Sequence, residues 1–107
     1  MAKNNNHHKQ PISAVIWEKR DILSPNNYNP NRVAPKELEL LKISILENGW
    51  TQPIVANTNK EIVDGFHRWT ISKDKEVSKL TNGLVPVVYL KKMDRVTTQM
   101  ATIRHNR

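Results

Sequence analysis

Residues 62–69, IVDGFHRW, constrain the fold more than any other stretch of this chain. Two β-branched residues lead into Asp64-Gly65, and a run of helical character follows at once, so a strand must turn directly into a helix at Gly65. A chain with such a junction mixes α and β structure, and 107 residues hold one domain with a modest core. The N–H groups of Gly65, Phe66 and His67 open the helix without intrahelical partners, beside the positive end of its dipole. A helix start of this kind suits a phosphate group, and glycine lets the backbone come close. Arg68 can add a bidentate guanidinium contact and His67 a further hydrogen bond. The same residues have plainer readings, and spacing leaves both open. Gly65 serves equally as a turn residue, Arg68 as a solvated helix residue, Asp64 as a helix cap, and Phe66 with Trp69 as core.

The elements around this junction follow from local pattern. Residues 1–11 read as a disordered basic tail, low in large apolar side chains, and residues 12–107 as the domain. His7 and His8 make a weak metal site in a tail of that kind. Residues 12–17, ISAVIW, predict a first strand, and the Asn- and Pro-rich residues 23–31 predict a loop. Pro35 suits the first turn of a helix that Asn48-Gly49 ends. Its Leu38, Leu41, Ile45 and Leu46 share one side, while Leu40 and Ile43 fall elsewhere, which predicts packing on more than one side. Residues 53–56 and 61–63 are short strands, and the helix from Phe66 spans about two turns. Residues 74–83 are polar and read either as a further helical turn or as loop. Residues 85–90 form a strand whose Pro86 predicts an edge or a strand start. Asp94 then caps a last helix with Val96, Met100 and Ile103 on one face. The order β-α-β-β-α-β-α defines a small α+β domain with a short mixed sheet and about three helices.

Charge and composition narrow the chemistry. Seventeen Lys and Arg against ten Asp and Glu give a formal charge of +7, which favours an anionic partner: a nucleotide, DNA or an acidic surface. The chain has no cysteine, which excludes disulfides, thiolate catalysis and Cys-ligated metals and fits a cytoplasmic protein. No apolar run is long enough to span a membrane. Two further groups are candidates for ligand contact: Thr51 and Gln52 in the loop after the first helix, and Arg104, His105 and Asn106 at the end of the last one.

From residue 22 to residue 107 the chain resembles the ParB N-terminal domain, of the ParB/sulfiredoxin superfamily. The resemblance is carried by Asn29-Pro30 with Arg32, then by Leu38, Leu41, Ser44-Ile45 and Gly49. Gln52-Pro53-Ile54-Val55, the box at residues 62–69 and Val85-Pro86-Val87 complete it in the family's order. It implies a fold that binds CTP with magnesium, with Thr51 and Gln52 beside the nucleotide and Gly65 and Arg68 holding phosphates. Phe66 and His67 occupy box positions where the family carries Glu and Arg, and His105 replaces a glutamate beside Asn106. A histidine offers no carboxylate to a hard magnesium ion, so binding is expected ahead of hydrolysis. Asn106, which matches the family's Asn, is the one metal contact the resemblance suggests.

The resemblance therefore implies a nucleotide-binding domain of the CTP or ATP type with weak or no hydrolysis, working in plasmid or chromosome partition, phage biology or DNA modification. The alternatives are a DNA-binding domain, a ParB-like nuclease, or a phosphotransferase with Asp64 as base and His67 as acid. A two-metal nuclease needs clustered carboxylates, and only Asp64 lies near the box. The superfamily's kinase branch uses a glutamate in the Asn/Pro-rich loop, where NNYNPN has none, and the sulfiredoxin cysteine is Phe66 here. The chain has no room for the helix-turn-helix domain of partition proteins, so it is not a complete partition protein. Its being a fragment of one, or of another larger protein, stays open. A homodimer or a larger protein's further domains are the candidate macromolecular partners beside DNA.

Overall fold

The computed structural model describes residues 6–25 and 35–91. Four strands form one sheet: β1 Ile16–Lys19, β2 Ile54–Ala56, β3 Ile62–Asp64 and β4 Leu84–Tyr89, in the order β1-β4-β2-β3. β1 and β3 lie antiparallel to their neighbours, while β2 and β4 run parallel, so the sheet is mixed. A parallel pair cannot be joined by a tight turn. The chain between β2 and β4 accordingly passes through β3 and two short helices, α2 Phe66–Ile71 and α3 Lys75–Leu80. The longest helix, α1 Pro35–Asn48, precedes β2 and packs on α2 and α3. Among the described residues three helices on a short mixed sheet match the α+β class read from the sequence; the last helix expected from Asp94 lies outside them.

α1 starts and stops where its sequence signals stand. Pro35 opens it, and Gly49 follows it at φ +79°, donating its N–H to Ile45 O at 2.7 Å. Ile45 is buried and Leu38, Leu41 and Leu46 are half-buried, but Leu40 and Ile43 are 59% and 42% exposed. Packing on more than one side is thus corrected: α1 buries one side only.

The first strand also departs from expectation. Pro11 fixes a helical φ at the start of a 3-10 turn, Pro11–Ala14, and Ser13 donates to Gln10 O and, through Oγ, to His7 O. These local bonds hold residues 11–14 out of the sheet, and β1 begins at Ile16. Pro86 lies inside the sheet rather than at an edge. It pairs with Trp17 on the β1 side, and the β2 ladder starts one residue later, at Ile54 opposite Val87. Pro86 is thus the third residue of a central strand, and the expectation of an edge or a strand start is corrected. The proline is accommodated where β4 has paired with β1 but its ladder with β2 has not yet begun.

Residues 75–80 become helix because Asp74 caps them. Its Oδ1 accepts from Glu76 N at 2.9 Å and Val77 N at 3.3 Å, and Lys42 Nζ of α1 lies 3.0 Å from both the Asp74 and Glu76 carboxylates. The Lys42 bond, aided by the two N–H donors, holds the Asp74 carboxyl below its ordinary 3.8. A carboxyl depressed by folding stabilises the native state above its ordinary value, and that stability is lost as pH falls through the lower, folded one. Asp74→Ala is expected to lower the melting temperature at neutral pH by about 4–8 °C, the usual effect of losing one N-cap in a domain of this size. The variant should also lose less stability than the wild type below pH 3.8. Melting curves from neutral to acid pH that stay parallel for the two proteins would rule this cap out as a contributor.

One buried cluster joins Leu23, Ile54, Ala56, Ile62, Val85 and Val87, with Trp50, Phe66, Trp69 and Tyr89 packed against it, and Ile45, Val63, Val77 and Val88 are buried besides. Arg20, in the 3-10 turn Arg20–Ile22 after β1, ties that region to α2. Its Nε and Nη2 donate to Ser72 Oγ and Trp69 O, its guanidinium carbon lies 4.2 Å from the Trp69 ring centre, and Trp69 Nε1 donates to Arg20 O. Phe66 and Trp69, 5.8 Å apart between ring centres, thus fill the core side of α2 as expected.

Candidate functional site

β3 ends at Asp64 and α2 begins at Phe66, so the whole change of direction falls on Gly65, at φ +92° and ψ 22°. A β-carbon there would stand 3.0 Å from Arg68 Nη2 and 3.2 Å from Ile54 Cα. The glycine is needed both for its backbone angle and for the approach of strand and guanidinium.

Above this junction is a cleft of about 270 Å³, lined by Asp64, Gly65, Phe66, His67 and Arg68 and closed on the α1 side by Glu37 and Leu41. Two buried nitrogens here, His67 Nε2 and Arg68 Nε, have no hydrogen-bond partner among the described residues. Buried polar atoms are ordinarily paired, so these two nitrogens are exceptions to the usual rule. The Phe66 and His67 rings meet edge to face at 6.0 Å.

Arg68 is neither solvated nor aimed wholly into the cleft. Its side chain is 19% exposed; Nη1 donates to Gln52 Oε1 and Nη2 to Pro53 O, each at 3.0 Å, with Asp64 Oδ2 at 3.8 Å from Nη2. Burial lowers the guanidinium pKa and Asp64 opposes the change. Gln52 and Thr51 are exposed and line a second hollow of about 190 Å³ with Trp17, Trp50, Pro53 and Pro86. The buried Trp50 Nε1 is unpartnered as well.

The structure thus gathers Gly65, Phe66, His67 and Arg68 at one cleft and joins Gln52 to it through Arg68, while Thr51 belongs to the neighbouring hollow. Arg104, His105 and Asn106 lie outside the described residues. Glu37 is the lining residue that the sequence reading missed. An acid in the first turn of a helix is usually explained by the helix dipole, so its position carried no separate signal. Among the described residues no group of three or more His, Cys, Asp and Glu is arranged to hold a metal ion. None of their helices is long and apolar enough to cross a membrane.

A strand-to-helix junction beneath a cleft, on a small mixed sheet, defines a small α+β domain. The model of the ParB N-terminal domain matches residues 2–106, and the chain belongs to that family. It is similar to the "Uncharacterized protein YbdM" of Escherichia coli (strain K12), 48% identical over 106 residues that span 92% of this chain and 49% of that one. Among solved structures it resembles the C-terminally truncated chromosome-partitioning protein ParB from Caulobacter crescentus complexed with CTP-γ-S. That match has a TM-score of 0.66 and 25% identity and covers 87% of this chain and 52% of the other. A Pnob8-like ParB-N domain shares the fold, with a TM-score of 0.59, 20% identity and coverage of 82% and 33%. The chain spans about half the length of the YbdM and Caulobacter relatives.

Proposed function

We propose that this chain is a nucleotide-binding domain whose ligand lies in the cleft between the starts of α1 and α2, in a protein that works on DNA partition or a related DNA process. The observation that carries the reading is the cleft lined by Gly65, Phe66, His67 and Arg68 at a strand-to-helix turn built on a residue without a β-carbon. The phosphates would lie along Gly65, Phe66 and His67. The +7 charge favours an anion, and the Caulobacter relative was crystallised with a cytidine nucleotide analogue. Magnesium commonly reaches proteins through one or two carboxylates together with substrate phosphates, and Glu37 with Asp64 supplies that number at the cleft. Bound there, the ion would screen phosphate charge.

Thermal unfolding with CTP, ATP, GTP, UTP and ADP, each with magnesium, tests this directly. A nucleotide at 100 times its dissociation constant adds about 2.7 kcal/mol, which in a domain of this size raises the melting temperature by on the order of 10 °C. His67→Ala should weaken the nucleotide that gives the shift by roughly tenfold, the worth of one hydrogen bond to a charged group. Unchanged affinity in that variant would remove the cleft from consideration. No shift with any nucleotide would instead favour DNA as the anion.

A further inference from the structure

Arg68 stands in the box where the resemblance assigns phosphate contact, yet two of its three nitrogens are already committed. Nη1 and Nη2 reach forward to Gln52 Oε1 and Pro53 O, residues 16 and 15 positions earlier in the chain, each at 3.0 Å. A guanidinium is a rigid planar fork, so directing one edge at the loop fixes the direction of the whole group. Its path to the loop exists because Gly65 has no side chain: a β-carbon there would meet Nη2 at 3.0 Å. The loop so held, residues 49–53, links α1 to β2 and forms one wall of the hollow beside the cleft.

We propose that Arg68 is a positioning residue that clamps the 49–53 loop to the start of α2 and so shapes the cleft, instead of ligating phosphate through its paired nitrogens. Its effect on a ligand rests on the nucleotide reading above, but the clamp itself does not and can be measured in the ligand-free protein.

Arg68→Lys separates the two roles, because lysine keeps the charge and loses the fork. In the nucleotide-free chain, amide exchange at Trp50, Thr51, Gln52 and Ile54 should quicken by about tenfold or more, while Val87 and Val88 of β4 exchange as before. Unchanged loop exchange overturns the clamp. If Arg68→Lys does not fold, Gln52→Ala removes one arm from an exposed position and should quicken the same loop amides by about threefold. Unchanged exchange in that variant overturns the clamp equally.

The second arm uses the nucleotide that stabilises the wild type, as its mono-, di- and triphosphate. The clamp predicts that Arg68→Lys weakens all three by the same factor, whereas a loss that grows with each added phosphate overturns it. Should no nucleotide bind, the exchange result still decides the clamp, so its failure and that of the nucleotide reading are distinguishable.

Discussion

Gly65→Ala is expected to destabilise the domain by about 3 kcal/mol, the sum of a backbone penalty and a steric one. The backbone penalty arises because Gly65 sits at φ +92°, where an L side chain crowds the following carbonyl at a cost of roughly 1–2 kcal/mol. The steric penalty arises because the new β-carbon would stand 3.2 Å from Ile54 Cα, a main-chain atom of a fully buried strand residue. The 3.0 Å contact with Arg68 Nη2 is relieved only by moving the guanidinium, which would disturb its bond to Pro53 O. Gly49→Ala supplies the control. Gly49 is also left-handed, at φ +79°, but no atom lies within 4 Å of its missing β-carbon, so only the backbone penalty of roughly 1–2 kcal/mol applies. Equilibrium urea unfolding should therefore place the Gly65→Ala midpoint well below that of Gly49→Ala at a similar slope. Equal midpoints would mean that strand and helix do not approach as closely as described, and the floor of the cleft would need another explanation.

What could be read from the sequence divides along the line between local and long-range physics. α1 was legible at both ends because Pro35 and Gly49 act on their own backbone angles. The strand–Gly65–helix junction was legible for the same reason, and with it the cleft residues Gly65, Phe66, His67 and Arg68. Residues 12–14 look like strand by apolar content, but Pro11 and the bonds of Ser13 turn them into a 3-10 segment. Residues 75–80 are polar, and their helix rests on the Asp74 cap, whose carboxylate also pairs with Lys42 from 32 positions earlier in the chain. Gln52 and Arg68 were each singled out as ligand contacts, and nothing in their spacing says that one holds the other. Glu37 escaped for a related reason: a first-turn acid explains itself locally, and only the packing of α1 on α2 brings it to the cleft.

The largest effect belongs to the strand beneath the cleft. Ile54→Ala should cost about 3–4 kcal/mol, against about 1 kcal/mol for Ile54→Val. Ile54 is completely buried, pairs with Val87 of the neighbouring parallel strand, and belongs to the core cluster. Domains of this kind are stable by only about 5–15 kcal/mol, so the alanine variant loses a large part of the total. The backbone ladder does not depend on the side chain, and the loss therefore reports the transferred methyl groups plus whatever cavity the neighbours fail to fill. Ile54 also lies between the two halves of the site, following Pro53, which accepts from Arg68, and standing under Gly65. A cavity at this point should thus weaken nucleotide binding in Ile54→Ala even below its melting temperature, while Ile54→Val binds as the wild type does. Urea unfolding and nucleotide titration on the same two variants check both statements. A stability loss under about 1 kcal/mol for the alanine variant would show that the core closes over the gap, and the cleft would then have a floor able to move.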